Sequence, residues 1–218
     1  PFASFCWFSH KDNTSCNDEA ITIKEFVNKY EQDNKIITLY LDDEWTVGQS
    51  MDCSEAVNKW QQQFDMDREP LHQSSTVHQQ ELQESFSFMV SKLKKDNDWA
   101  RMAYIYRQFK GSVVRLEDVE KNYVFDITKN QLTITDEDYD IATSSECFNY
   151  LMRNAWGRGT LMINGRFQAN YNTLHRFLRQ THVYYGNNIG RRFPEHISLD
   201  QIVNPKCFVF EMIQPEKK

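Results

Sequence analysis

The side chains that commonly perform covalent catalysis are present in this chain, but their spacing forms no catalytic motif. A serine or cysteine nucleophile needs a neighbouring histidine and a third group that orients the histidine. The chain contains no G-x-S-x-G, G-x-G-x-x-G or G-x-x-x-x-G-K-[ST] sequence. Cys147 lies on a predicted helix facing Phe148 and Leu151, which is the position of a small core residue. The sequence therefore assigns no catalytic residue.

Histidines are scattered rather than clustered. His175 and His182 are seven residues apart, which is two helical turns and too far for one metal ion. His72 and His78 fit neither the i, i+4 pair of a helical metal site nor half of a zinc finger. We therefore expect no cofactor in this chain by itself.

A loop rich in glycine, asparagine and arginine is a candidate polar contact. The sequence THVYYGNNIGRRFP at residues 181–194 predicts a loop with Arg191 and Arg192 near its end. Guanidinium groups bind carboxylates and phosphates through two parallel hydrogen bonds, so both arginines are candidate anion contacts. An ordinary surface turn is the alternative, and it is the commoner use of such a sequence.

Three predicted helices carry apolar faces. The longest, at residues 77–95, has apolar residues three and four positions apart. Ser144 and Ser145 are candidate N-caps of the second helix, and Glu146 is well placed in its first turn. Such faces either close on one another as a core or line an apolar cavity. The candidate cavity residues on the three faces are Phe86, Met89, Val90, Phe148, Leu151, Met152, Leu174, Phe177 and Leu178.

Alternation of apolar and polar residues predicts the strands that support these helices. The alternation is clearest in YVFDI at 123–127 and QLTIT at 131–135, and SVVRL at 112–116 is a further short strand candidate. Gly157 and Gly159 are predicted to end the second helix. Further strands are predicted at 1–8, 35–41, 99–109, 160–167 and 207–213, and a short helical turn at 198–203. This order predicts an α+β fold with a mixed or antiparallel sheet and packed helices, preceded by a small α/β segment.

Composition restricts the class of protein. The chain has 218 residues and a net charge of −6 without a long basic run, which disfavours nucleic acid as a partner. No apolar run approaches the ~20 residues of a membrane helix. Five scattered cysteines without a C-x-x-C pair are typical of reduced thiols, so we expect a cytoplasmic protein. Because the chain begins at Pro1, we expect it to be part of a longer protein.

The C-terminal two thirds resembles a sterol-carrier-protein-like domain. The resemblance is carried by the strands, the serine-capped helix and the sequence TLMINGRFQANYNTLHRFL, and it covers residues 77–215. In that family a strand with an x-G-x motif is followed by a helix that helps to enclose an apolar tunnel, and the opening helix also contacts the cavity. The resemblance implies a lipid or another hydrophobic small molecule as the ligand of the nine cavity residues.

Residues 1–68 are similar to the last part of a metallo-β-lactamase-fold protein from a bacterial branch of hydrolase-like proteins. The sequence PFASFCWFSHKDN and the acidic loop Asp42-Asp43-Glu44-Trp45 carry this resemblance. The family's H-x-H-x-D-H metal motif is missing here. The resemblance therefore implies that zinc or iron binds in a full-length parent, where His10 is the one candidate metal contact in this chain. A histidine that caps a strand end by hydrogen bonds is the alternative for His10.

These observations predict two domains, at 1–68 and 77–218, joined by a linker at 69–76 that contains Pro70 and a Ser/Thr cluster. The leading hypothesis is an accessory domain that binds a hydrophobic ligand for a metallo-hydrolase-like parent. A second hypothesis is that the chain supplies one wall of the parent's active site. A third is a structural domain that forms a homodimer through exposed aromatic residues.

Overall fold

A computed structural model describes residues 10–13, 21–30, 36–67 and 72–205. The chain divides into two compact units, Pro1–Gln73 and Ser74–Lys218. The protein has an α+β fold, with eight helices and a five-stranded mixed sheet among the described residues. None of the helices in these ranges is long and apolar enough to cross a membrane.

Unit 1 contains helices α1 (Ile23–Tyr30) and α2 (Ser54–Asp67). The strand predicted at 35–41 is wrong for residues 36–41, which are irregular. Side chains, rather than a neighbouring strand, satisfy this backbone: Trp60 Nε1 donates to Leu39 O at 2.7 Å, and Tyr40 N donates to Asp43 Oδ2 at 2.8 Å. Among the described residues no partner strand lies beside this apolar run, which is irregular. The strand predicted at 1–8 lies outside the described residues.

The sheet of unit 2 consists of β1 (Ser112–Leu116), β2 (Lys121–Phe125), β3 (Thr133–Thr135), β4 (Ile141–Thr143) and β5 (Phe167–Ala169). Its strand order is β3-β2-β1-β4-β5. Neighbouring strands are antiparallel except for β1 and β4, which are parallel. The strands predicted at 112–116, 123–127 and 131–135 are confirmed, because β1, β2 and β3 lie within these ranges or overlap them.

Six helices accompany this sheet: α3 (Gln79–Asp96), α4 (Trp99–Tyr106), α5 (Ser145–Arg153), α6 (Gly157–Asn164), α7 (Leu174–Asn187) and α8 (Leu199–Val203). The three predicted apolar faces are confirmed on α3, α5 and α7, whose inward residues join one core cluster. Phe125 of β2 packs against the rings of Phe86, Phe148 and Phe177, with centroid distances of 6.0, 5.3 and 6.1 Å. The sheet and the three helices therefore meet at Phe125.

The strand predicted at 99–109 is wrong, because Trp99–Tyr106 is helix α4. Asp98 is its N-cap and accepts a hydrogen bond from Arg101 N at 3.1 Å. Met102 and Tyr106, four residues apart, are both buried, whereas Tyr104 is 71% exposed. The apolar and aromatic residues of this segment fit a period of two as well as a helical period. Burial of Met102 and Tyr106 on one side selects the helix, and the Asp98 cap stabilises its first turn.

The strand predicted at 160–167 is also wrong over most of its length. Helix α6 begins at Gly157 and ends where Gly165 adopts a positive φ of 62°, the left-handed conformation typical of a helix C-terminus. Gly157 and Gly159 therefore lie within this helix instead of ending the previous one, which stops at Arg153. Only the residues after Gly165 form the short strand β5.

The loop predicted at 181–194 is helical in its first half, since α7 continues to Asn187. Val183 and Tyr184 extend the buried face of α7. A Cβ atom at Gly186 would lie 2.8 Å from Ile197 Cδ1, so this glycine allows the following loop to pack closely on the helix. The predicted helical turn at 198–203 is confirmed as α8, and the strand predicted at 207–213 lies outside the described residues.

Candidate functional site

Helix α5 is fixed at its N-terminus by two neighbouring serines. Ser144 is the N-cap and accepts a hydrogen bond from Cys147 N, as the sequence predicts. Ser145 is fully buried, accepts from Val77 N at 2.7 Å and donates to Asp118 Oδ2 at 2.5 Å. These bonds join the start of α5 to the segment before α3 and to the turn after β1. The orientation of α5 about its own axis is thereby set.

Helix α6 approaches α5 at Gly157. A Cβ atom at this position would lie 2.5 Å from Leu151 Cα, so only glycine allows this contact. Trp156 precedes the helix, and its Nε1 donates to the hydroxyl of Tyr150 on α5 at 2.8 Å. Farther along, Leu161 is buried in the core cluster. The two helices therefore touch at one end of α6.

A pocket of about 270 Å³ lies between α5 and α6. We call it the α5–α6 pocket. Cys147, Tyr150 and Leu161 supply apolar surface, and Thr160 and Asn164 supply a hydroxyl and an amide. The described lining residues are Glu146, Cys147, Tyr150, Gly157, Thr160, Leu161, Asn164 and Arg166. A mostly apolar lining with a few polar groups is the usual composition of a small-molecule site.

The charged residues of the α5–α6 pocket form an ion pair. Arg166 Nη2 lies 3.0 Å from Glu146 Oε2 and donates to Ser74 Oγ at 2.6 Å. The Arg166 side chain is only 14% exposed. Its backbone carbonyl accepts from Thr143 Oγ1 at 2.7 Å, so the chain is also anchored to β4. Glu146 and Ser74 therefore hold the guanidinium, and Thr143 holds the backbone of Arg166.

A second groove, of about 390 Å³, involves α3 and α5 and is lined by Glu84, Ser85, Phe88 and Arg153. Its polar groups are engaged with one another. Buried Ser85 Oγ donates to Asn149 Oδ1 at 2.5 Å and accepts from Arg153 Nε at 2.8 Å. This network connects the two helices, so we interpret the groove as a structural contact.

The nine residues predicted to line an apolar cavity all lie in the core cluster. Each is buried, and none is among the described residues that line the α5–α6 pocket. They pack on one another because the helical faces of α3, α5 and α7 close over the sheet around Phe125. Their role as ligand contacts stays a prediction.

The two arginines predicted to bind an anion are engaged within the protein. Arg191 Nη2 donates to the backbone carbonyl of His196 at 2.7 Å. Arg192 Nη1 lies 3.9 Å from Asp96 Oδ1. Gly190 in this loop has a positive φ of 75°. The loop is thus held to α3 and α8 by its own arginines, and anion binding there stays a prediction.

His10 lies in unit 1, where its ring is 5.8 Å from that of His72 and its Nδ1 is 3.5 Å from Asp12 Oδ1. The two histidines also form an isolated β-bridge. Within the described ranges, no three His, Cys, Asp or Glu side chains are grouped as a metal site would require. The role of His10 in a longer parent stays a prediction.

Helix α7 carries a half-buried histidine that the sequence did not single out as functional. His182 Nδ1 is buried without a hydrogen-bond partner among the described residues. Burial, together with the positive charges of Arg158 and Arg191, lowers the pKa of His182 to about 4. Two residues on, burial raises the pKa of Tyr184 to about 12, and its hydroxyl donates to Met152 O at 3.0 Å. His182 is therefore neutral at pH 7.

Sequence reasoning missed the α5–α6 pocket because it assigned residues 160–167 to a strand. Thr160, Leu161 and Asn164 share one side of a helix only when the segment is helical. One available signal was Gly165, which follows an eight-residue helix as a C-terminal glycine. Gly157 gave no such signal, because its close contact with Leu151 exists only once α5 and α6 are packed.

Comparison of the chain with protein-family models, with curated proteins and with solved structures found no match in any of the three. The resemblances to a sterol-carrier-like domain and to a metallo-β-lactamase fold therefore stay predictions.

Proposed function

We propose that unit 2 is a binding module for a small hydrophobic molecule and that the ligand occupies the α5–α6 pocket. The observation that carries the proposal is the pocket itself. It combines about 270 Å³ of space with apolar surface from Cys147, Tyr150 and Leu161. Burial of apolar ligand surface there would contribute about 25 cal/mol per Å².

The position of the pocket relative to the core supports this proposal. Phe148, Leu151 and Met152, which were predicted to contact a ligand, form the inner side of α5. Cys147 and Tyr150 of the same helix line the pocket. The ligand site that we propose therefore differs from the predicted one. It is the pocket next to the core and not the interior, where the nine side chains pack together. A ligand can bind there without separating α3, α5 and α7.

A fluorescence titration with N-phenyl-1-naphthylamine, an uncharged apolar probe, tests the proposal on the full chain. We expect saturable binding. Replacement Thr160→Phe fills the pocket from α6 without altering a fully buried core position, and it should weaken probe binding by about tenfold or more. The matched control is Thr133→Phe on the exposed edge strand β3, which should leave the affinity unchanged.

Two results would count against a ligand in the α5–α6 pocket. One is the absence of saturable probe binding to the unaltered chain. The other is equal binding by Thr160→Phe and Thr133→Phe, provided that circular dichroism shows both variants to be folded.

A further inference from the structure

We propose that the Glu146–Arg166 ion pair makes the α5–α6 pocket selective for uncharged ligands over ligands that carry a carboxylate. This inference rests on the proposed function, because it concerns the polar side of the same pocket. Glu146 and Arg166 both line the pocket, and they are the charged residues among its described lining.

The positive charge of Arg166 is already compensated by the carboxylate of Glu146. Its Nη2 is 3.0 Å from Glu146 Oε2 and 2.6 Å from Ser74 Oγ, so one guanidinium nitrogen contacts both a carboxylate and a hydroxyl. With 14% of the side chain exposed, the group has little freedom to turn toward a ligand. Arg166 therefore offers a bound molecule much less positive charge than an unpaired arginine would.

A ligand carboxylate would meet two penalties at this position. It would have to displace Glu146 from Arg166, or lie beside the Glu146 carboxylate and be repelled by it. Like charges that approach to hydrogen-bonding distance in a partly desolvated site repel each other, and the Glu146–Arg166 pair is lost if Glu146 is displaced, so neither arrangement is favourable. The carboxylate would also lose its hydration as it enters a mostly apolar pocket.

An uncharged ligand avoids both penalties. A hydroxyl or amide head can exchange hydrogen bonds with the polar side of the pocket, where Thr160 and Asn164 lie, while the ion pair stays closed. The ligand class that fits is therefore a small neutral amphiphile. Glu146 acts as the specificity-determining residue, because it neutralises the one cationic side chain in the described lining.

Competition between two molecules of equal chain length tests this inference. 1-Octanol and sodium octanoate would each be titrated against the full chain loaded with N-phenyl-1-naphthylamine at neutral pH, where octanoate is ionised. We expect octanol to displace the probe at a concentration about tenfold lower than octanoate, which corresponds to about 1.4 kcal/mol. This comparison uses the unaltered chain and does not depend on the folding of a variant.

The variant Glu146→Gln removes the negative charge and keeps the side-chain shape. It should shift the octanol-to-octanoate ratio toward octanoate by about tenfold, because the carboxylate that repels a ligand carboxylate in this pocket is removed. The matched control Glu195→Gln, which changes the net charge equally at an exposed position, should leave the ratio unchanged. Equal displacement by octanol and octanoate from the unaltered chain would overturn the selectivity. An unchanged ratio in folded Glu146→Gln would do the same. Failure of both molecules to displace the probe would instead overturn the proposed function, and this inference with it.

Discussion

Individual buried polar residues of unit 2 show two ways of satisfying a polar group. Asp140 is 1% exposed and accepts hydrogen bonds from Ser112 Oγ at 3.0 Å and Val113 N at 2.9 Å. Arg179 is 7% exposed and donates to the carbonyls of Ile202 and Val203, which end α8. His182 differs from both, because its Nδ1 is buried without a partner in the described part of the chain.

The pKa of His182 predicts how stability depends on pH. It is lowered from 6.5 to about 4 by burial and by Arg158 and Arg191, so the unfolded chain binds the proton more tightly than the folded chain. The stabilisation is complete above pH 6.5 and decreases as the pH falls from 6.5 toward 4. The urea concentration at the midpoint of unfolding should therefore decrease as the pH is lowered from 6.5 toward 4. His182→Gln should reduce the pH dependence.

The control for this measurement lies on the same helix. His175 is exposed on α7, and His175→Gln should leave the pH dependence as it is in the unaltered chain. If His182→Gln and His175→Gln show equal slopes, His182 does not titrate in the way that its surroundings imply.

The contact between α5 and α6 shows how an element is positioned by the absence of a side chain. Gly157 and Gly159 both lie in the first turn of α6, but their surroundings differ. A Cβ at Gly157 would meet the backbone of Leu151 at 2.5 Å, whereas one at Gly159 would meet the ring of Tyr185 at 3.1 Å. A backbone cannot move aside as a side chain can.

The two glycines therefore provide a matched pair of variants. Gly157→Ala should lower the free energy of unfolding by about 1–3 kcal/mol, because α6 must move away from α5. Gly159→Ala should be close to neutral, since the gain in helix propensity of up to about 1 kcal/mol offsets the shift of Tyr185. Chemical denaturation of both variants checks this. Equal losses of stability would contradict the close contact at Gly157.

At the scale of the whole molecule, the chain consists of two compact units that meet in sequence at Gln73 and Ser74. Residues from Ser74 onward are tied to unit 2. Arg166 donates to Ser74 Oγ, and Val77 N donates to Ser145 Oγ. Hydrogen bonds that hold a segment to a folded unit protect it from proteases.

Limited proteolysis should therefore cut first in the part of the predicted linker that precedes Ser74. Mass spectrometry of a brief subtilisin digest should show a stable C-terminal fragment that begins between residues 69 and 74, and this fragment should retain its helical circular dichroism. A first cut within α3 would contradict the division into these two units. The domain boundaries stay a prediction until this is measured.

Local signals in the sequence determined much of the fold. The stripe of apolar residues in α3 runs from Leu82 to Leu93, and the Ser144 side chain caps α5 by accepting a hydrogen bond from the amide of Cys147. The alternation in β2 is equally local. In these segments the apolar residues follow either the helical period or the strand period over enough positions to exclude the other of the two. Helices α3 and α5 and the first strands were therefore predictable.

Only the tertiary structure decided the identity of α4 and α6 and the location of the candidate site. Short apolar segments fit both a strand and a helix, and burial against the core selects between them. The pocket depends on α6 being helical and on Gly157 touching Leu151. The ion pair joins Glu146 and Arg166, twenty residues apart, only after α6 has turned the chain back toward α5. The spacing of residues along the sequence does not predict such contacts, because they arise from the packing of one helix on another.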